Sequence, residues 1–242
     1  MSAFFYGVRL SIRMDLRNRD ILLLYYLVPL LFYLFMGGVF TSIMPDMKDT
    51  LIQSMVIFGT TMGGMLGVSD ALVKVYHTEI KKAYKVWNIP IGISFVNNFI
   101  SAIIHLFLMN LIIIITAPIL YDAHLPKNFL LFFFMLLLFN LTTVSIGSLI
   151  GMVSRKSSIA TMYGQCIFLP SVMLGGIMFP ATMLPTPLRM IAKLLPATWG
   201  FTALSVDNTS IISVVVLIIM LVITILLNWA KIRLCLTTED GR

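Results

Sequence analysis

Apolar residues run along this chain in long tracts, separated by short stretches where charged residues, prolines and asparagines collect. Six tracts approach or exceed the roughly 20 residues that a helix needs to cross a hydrocarbon layer about 30 Å thick. They are Ile21 to Met44, Leu51 to Val73, Ile91 to Leu120, Phe129 to Val153, Ile159 to Phe179 and Ser210 to Ala230. Backbone amides in lipid must be satisfied within their own segment, so these tracts predict six spanning helices. The third is too long for one straight crossing, so either its first turns, around Asn97 and Asn98, lie at the interface or the helix tilts. Pro29, Pro118 and Pro170 predict kinks, because each removes a backbone donor. Gly59, Gly63 and Gly67 in the second span, and Gly147 and Gly151 in the fourth, recur every fourth residue and predict flat faces for close helix approach.

Outside the spans, residues 3 to 19 place Phe4, Phe5, Val8, Ile12 and Leu16 near one side at helical spacing, with Arg9, Arg13 and Arg17 on an adjoining strip. This predicts a helix lying in the membrane interface; a basic topology anchor with no further role is the simpler alternative. The segment KVYHTEIKKAYKVWNIPIG joins spans two and three. From Glu79 to Trp87 it reads as a short amphipathic helix with Ile80, Tyr84 and Trp87 on one side, Lys81, Lys82 and Lys85 elsewhere, and Pro90 as its stop. Such a helix either docks a partner or only orients span three.

The stretch LGGIMFPATMLPTPLRMIAKLLPATWGF, residues 174 to 201, carries four prolines, an arginine and a lysine. It can neither cross a membrane as a regular helix nor behave as an ordinary soluble loop. Gly175, Gly176 and Pro180 break span five, and Pro187 to Leu195 can form a short helix with Arg189 and Lys193 on its polar side. Irregular backbone at membrane depth requires surrounding protein or a water-filled cavity. The stretch therefore predicts a re-entrant piece folded against the outer face of the bundle, a natural outer gate.

Composition agrees: 59% of the residues are apolar and 11% charged, against about 25% charged in soluble domains. The chain reads as one all-α integral membrane domain, residues 1 to 242, with no cleavable signal peptide expected after its arginine-rich start. The formal net charge of +7 is compatible with nucleic acid, yet the basic residues flank the spans, and attraction to anionic headgroups of the lipid bilayer is the plainer reading; no nucleic-acid partner is expected. With both termini in the cytoplasm, Arg9, Arg13, Arg17, Arg19, Lys74, Lys81, Lys82, Lys85, Arg155, Lys156, Lys231, Arg233 and Arg242 lie inside, and only Lys48, Lys127, Arg189 and Lys193 outside. That bias predicts an N-in, C-in topology. Cys166 and Cys235 suggest neither an exported disulfide nor a metal site.

Enzymatic chemistry finds little support. The glycine cluster GTTMGGMLG lacks the lysine of a phosphate loop, and neither HExxH nor GxSxG occurs. Polar groups within the spans are few: Asp70, His105, Asn110, Asn140, Gln165 and Asn228. An ion-coupled secondary transporter should carry charge near the midplane and an internal repeat, and the chain shows neither. His105 is the exception, read as an ion-coupling group or, more simply, as a hydrogen-bonding partner for a neighbouring helix; Asp70 can pair with Lys74 one turn on.

A span ending in Gly-Gly-apolar-apolar-Phe-Pro, followed by LP, a short apolar-basic helix, LP and an aromatic-Gly-Phe-Thr-Ala-Leu run, resembles the signature of type-2 ABC exporter permeases, the membrane subunits that include drug, polysaccharide and peptide exporters and the subfamily G half-transporters. The resemblance covers nearly the whole chain and is strongest over residues 174 to 204. In the inner loop EIKKAYKV replaces the family's Glu-Arg-x-x-Gly-Thr-Leu run, keeping Glu79 and Pro90 but not the glycine. The resemblance implies a coupling helix over Glu79, Ile80, Lys81, Lys82, Tyr84, Lys85 and Trp87 seated on a separate nucleotide-binding ATPase, which would bind ATP and Mg; this chain would hold no cofactor and no metal. It further implies an outer gate at Gly175, Gly176, Ile177, Met178, Phe179 and Pro180. Spans one, two and five of two permease subunits, identical or related, would line a cavity, with Tyr25, Tyr26, Phe32, Thr60, Thr61, Phe168 and Met173 as candidate substrate contacts. The implied place is a cell membrane, bacterial plasma membrane by resemblance, crossed several times. The 17 methionines favour a hydrophobic or amphipathic cargo such as a drug, an antimicrobial peptide or a lipid-like compound, with a lipid-linked polysaccharide as the alternative.

Overall fold

The computed structural model of the chain describes residues 2–76, 91–178, 183–205 and 210–240. Those residues form helices and connecting turns, with no strand among them. Six helices among the described residues are long and apolar enough to cross a membrane. We name α1 Ser2–Arg17, α2 Arg19–Ser42, α3 Met47–Tyr76, α4 Ile91–Tyr121, α5 Phe129–Val153, α6 Ser157–Leu174, α7 Thr186–Ala192, α8 Pro196–Ala203 and α9 Ile211–Asp240. Spans one to six are α2 to α6 and α9.

Span two, α3, is the hub. Every residue from 51 to 73 is buried, whereas α9 turns most of its surface outward. Full burial requires small surfaces where backbones meet, and glycine supplies them. A Cβ on Gly147 of α5 would run into the carbonyl oxygen of Gly64, and one on Gly151 would stand 2.6 Å from the Ser69 carbonyl oxygen. Gly59, Gly63 and Gly67 instead admit side chains, those of Met109, Leu106 and Tyr25.

Spans one and two each contain one wide π-type turn, Leu23–Leu27 and Gly63–Gly67. The first has a local cause. Pro29 cannot donate to the carbonyl four residues back, and directly before it the Val28 amide reaches five residues back to Leu23. The second turn is glycine-rich, and Tyr25 from the first packs on Gly63 and Gly67 of the second.

Several expected boundaries and faces shift. Span five ends at Leu174, not Phe179, because Gly176 takes a left-handed backbone, φ +82°, that stops the helix without a Cβ penalty. The apolar side of α1 is split: Val8 and half-buried Ile12 face the bundle, while Phe4, Phe5 and Leu16 are exposed. The buried strip runs through Val8, Ile12 and Asp15 because α1 lies against α4, where Gly7 leaves room for the Asn97 side chain.

Replacing Gly147 with Val tests the hub packing. The variant is expected to lose stability by about 1–3 kcal/mol, since the facing atoms are backbone and cannot step aside. Gly38→Ala, at a glycine with nothing within 4 Å of an added Cβ, should melt like wild type in detergent.

Candidate functional site

Three groups of residues stand out: an aromatic column beside spans one and five, a folded elbow after span five, and a polar clasp at the opposite end of the bundle.

The column joins three spans. Phe32 on α2 stacks on Phe58 of α3 with ring centroids 3.9 Å apart, and Phe58 meets Phe168 of α6 edge-on at 5.6 Å. The structure thus brings together two candidate contacts, Phe32 and Phe168, through a third residue that the sequence did not single out. Phe32 is half-buried, and Met173 is exposed on the face of α6 that also presents Met162, Tyr163, Gln165, Cys166 and Leu169. Tyr25, Thr60 and Thr61 lie elsewhere, inside the packed protomer. Thr60 donates to Asn140 Oδ1 at 3.0 Å and accepts from Asn110 Nδ2 at 2.9 Å, so one polar knot ties spans two, three and four. Thr61 donates to the Ile57 carbonyl of its own helix at 2.6 Å. In a bilayer such interhelical hydrogen bonds contribute about 0.6 kcal/mol each on average, enough to select a packing but not to dominate stability.

The elbow returns the chain to the bundle. Gly175, Gly176 and Ile177 are buried, Met178 is half-buried against the core, and Phe179 and Pro180 lie outside the described residues. α8 packs against spans two, four, five and six. It can do so because Ala197, Gly200 and Ala203 present a small-residue face, with the Phe139 ring filling the space over Gly200. One of the carbonyls near its end is taken up by span two: Gln53 donates its side-chain amide to the Phe201 carbonyl. The turn between α7 and α8 is fastened by Thr198 Oγ1 to the Ala192 carbonyl at 2.6 Å and Trp199 Nε1 to the Lys193 carbonyl at 2.7 Å. Arg189 bonds the Leu184 carbonyl at 3.1 Å, so this exposed cation braces the turn locally.

The clasp is where α1 and spans one, two and three converge. Lys74 binds Asp70 one turn back at 2.7 Å and Asp20, at the start of span one, at 3.2 Å. Asp15 of α1, almost fully buried, accepts a 2.6 Å hydrogen bond from Ser101 of span three. His105, one turn further on, bonds Tyr26 at 2.7 Å through Nδ1 and stacks on Tyr25, with Nε2 3.8 Å from Asp15. The histidine thus sits in a hydrogen bond to a neighbouring span, the simpler of its two readings. Burial pushes the Asp15 carboxyl up to about 6, with the Ser101 hydrogen bond offsetting part of the rise. Glu79, Ile80, Lys81, Lys82, Tyr84, Lys85 and Trp87 of the loop that follows lie outside the described residues. Sequence reasoning missed Asp15, which sits among four arginines and reads as one more charge on a basic strip.

Comparison with known proteins places these features in context. A family model described as "ABC-2 type transporter" matches residues 3–207. "Probable multidrug ABC transporter permease YbhS" of Escherichia coli (strain K12) is 30% identical over 114 residues, which is 44% of this chain and 30% of that relative. The protein of the same description from Escherichia coli O157:H7 matches to the same extent. The matched region thus spans less than a third of either relative's length.

The Asp15 carboxyl gives a signed pH prediction. Its folded value of about 6 lies above its ordinary 3.8, so the folded state holds the proton more tightly. Asp15 therefore costs no stability below about pH 4, costs progressively more between about 4 and 6, and levels off near 3 kcal/mol above that window. Melting of wild type and Asp15→Asn in detergent from pH 4 to 7 should show the difference between them growing in favour of the variant across that window. A constant difference would exclude the buried carboxylate.

Proposed function

This chain belongs to the ABC-2 type transporter family, and we propose that it is the membrane-spanning permease subunit of an ATP-driven exporter. Family membership and six spanning helices make it a multi-pass membrane protein. In the proposed arrangement both termini are cytoplasmic, as the basic residues favour, so the clasp is the inner end and the elbow the outer. Two such subunits, identical or related, each sit on a separate nucleotide-binding ATPase that carries ATP and Mg. The segment from Glu79 to Trp87, expected from the sequence to be a helix, docks on that ATPase.

One observation carries the proposal: span two is buried over residues 51 to 73, is bonded to the elbow through Gln53, and runs in sequence directly into the expected docking segment. Its inner end holds Lys74 and Asp70 just before the docking loop, and its outer part holds Gln53, bonded to the elbow. A helix packed on all sides transmits displacement instead of dissipating it. ATP-driven closure of the partner ATPases therefore shifts the loop, span two carries the shift outward, and the elbow with its seal at Ile177, Met178 and Phe179 opens. Work enters from the partner chain, and this chain performs no hydrolysis.

A second subunit is supported by the exposed face of α6. Gln165 is exposed midway along a spanning helix, a costly place for an amide facing lipid. Against a second copy, that face and the Phe32–Phe58–Phe168 column would enclose an apolar, aromatic cavity with Met173 at its edge. Such a lining suits a hydrophobic or amphipathic cargo, a drug, a peptide or a lipid-like molecule. The relative's description as a probable multidrug permease points the same way.

Two outcomes test this reading. Glu79→Ala combined with Tyr84→Ala should lower ATP turnover of the assembled complex while leaving the melting temperature of this chain unchanged; unaltered turnover would refute docking at this helix. Ile177 is fully buried, and Ile177→Ala should let cargo leak from loaded vesicles without ATP, at a stability cost of about 2–5 kcal/mol. Tight vesicles with wild-type transport would place the seal elsewhere.

A further inference from the structure

Between α1, the clasp end of span two and the start of span three lies a cavity of about 260 Å³, lined by Ser11, Met14, Asp15, Lys74, Ser94 and Asn98 among others. Polar and apolar side chains share its walls, and two of the polar groups are left wanting a donor. Asp15 is 6% exposed and, among the described residues, receives one hydrogen bond, from Ser101. Asn98 is 7% exposed, and its Oδ1 has no hydrogen-bond partner among the described residues. Buried carbonyl and carboxylate oxygens without donors are costly, on the order of 1–3 kcal/mol each, so a pocket that gathers them selects a ligand rich in N–H groups and positive charge. Lys74 does not fill that need, because its ammonium is engaged by Asp70 and Asp20.

The surroundings narrow the ligand class. Pockets for drug-sized molecules run to roughly 300–1,000 Å³, so this one suits a smaller group. Leu10 and Met14, both exposed, flank it, and Tyr6 is exposed one turn before Leu10 on the same side of α1. A surface of that kind lies against acyl chains near headgroup depth. Arg17, exposed and three residues after Met14, adds a cation beside the same rim. Acceptors within, a cation beside the mouth and an apolar apron around it are the complement of a zwitterionic headgroup whose ammonium leads.

We infer that this cavity binds the primary ammonium of an ethanolamine phospholipid headgroup, with Asp15 and Asn98 Oδ1 accepting its N–H donors and Arg17 facing its phosphate. A choline headgroup has the charge but no N–H, and a glycerol headgroup has hydroxyls but no positive charge. Bound ammonium also compensates the Asp15 carboxylate, whose carboxyl burial otherwise pushes up to about 6. The lipid would complete the junction of α1 with spans two and three, and the site does not depend on the transport reading.

The test uses the full chain in detergent, titrated with dioctanoyl phosphatidylethanolamine, dioctanoyl phosphatidylcholine, dioctanoyl phosphatidylglycerol or free ethanolamine, with the melting temperature as readout. Only the ethanolamine lipid should give a saturable rise. Asp15→Asn and Asn98→Leu should each weaken that response on the order of tenfold or more, the size of a lost hydrogen bond to a charged group. If Asp15→Asn does not fold, Asn98→Leu carries the same criterion. Equal responses to the choline or glycerol lipid, or an unchanged response in the variants, would overturn the site. An equal shift with free ethanolamine at the same concentration would overturn the lipid assignment in favour of a soluble amine.

Discussion

A helix buried on every side cannot be held by one amphipathic stripe; each face must find a surface shaped for it, and every polar group it carries must be met by protein. Span two is buried throughout residues 51 to 73, and its polar side chains there are met by protein except at Ser54, whose buried hydroxyl has no partner among the described residues. Gly64 and Ser69 abut Gly147 and Gly151, Gly63 and Gly67 admit Tyr25, and Thr60 is met by Asn110 and Asn140. The other spans are arranged by their fit to this one. Their outward faces are free to be apolar and variable, which is why α9 is mostly exposed while α3 is not.

Burial also makes span two a mechanical link. At one end it ends in the Asp20–Lys74–Asp70 cluster, beside the junction where Asp15 pins α1 to span three. Towards the other end Gln53 holds the carbonyl of Phe201 in α8. The paired π-type turns of spans one and two meet around Tyr25, whose ring also stacks on His105. Wide turns of this kind recur at functional places in helices, because they give a helix one locus of adjustment while the rest stays regular. In the proposed mechanism that locus lies nearer the clasp than the elbow.

The six spans were legible because the cost of charge in hydrocarbon leaves an unmistakable pattern, and the breaks around residues 174 to 201 were legible because proline and glycine act locally. The end of span five was placed five residues late, since an apolar tract continues past the glycine whose backbone turns left-handed. Phe58 went unnoticed because one phenylalanine has no contrast in a chain that is 59% apolar; its role depends on being level with Phe32 and Phe168, which only three-dimensional packing sets. The Gln53 bond to Phe201 was equally invisible, as its acceptor is backbone 148 residues away. Asp15 could have been suspected from phase alone: it shares a helical side with Val8 and Ile12, where a carboxylate is out of place.

The central claim, that displacement at the inner loop reaches the elbow through span two, is tested most directly by distance measurement on the assembled transporter. Spin labels at Met183, exposed at the start of the elbow, would be introduced in both permease subunits after removing Cys166 and Cys235. ATP binding by the partner ATPases should lengthen the distance between the two labels, and Gln53→Ala should abolish the change while ATP still binds. A distance indifferent to ATP, or a change that survives Gln53→Ala, would contradict the account.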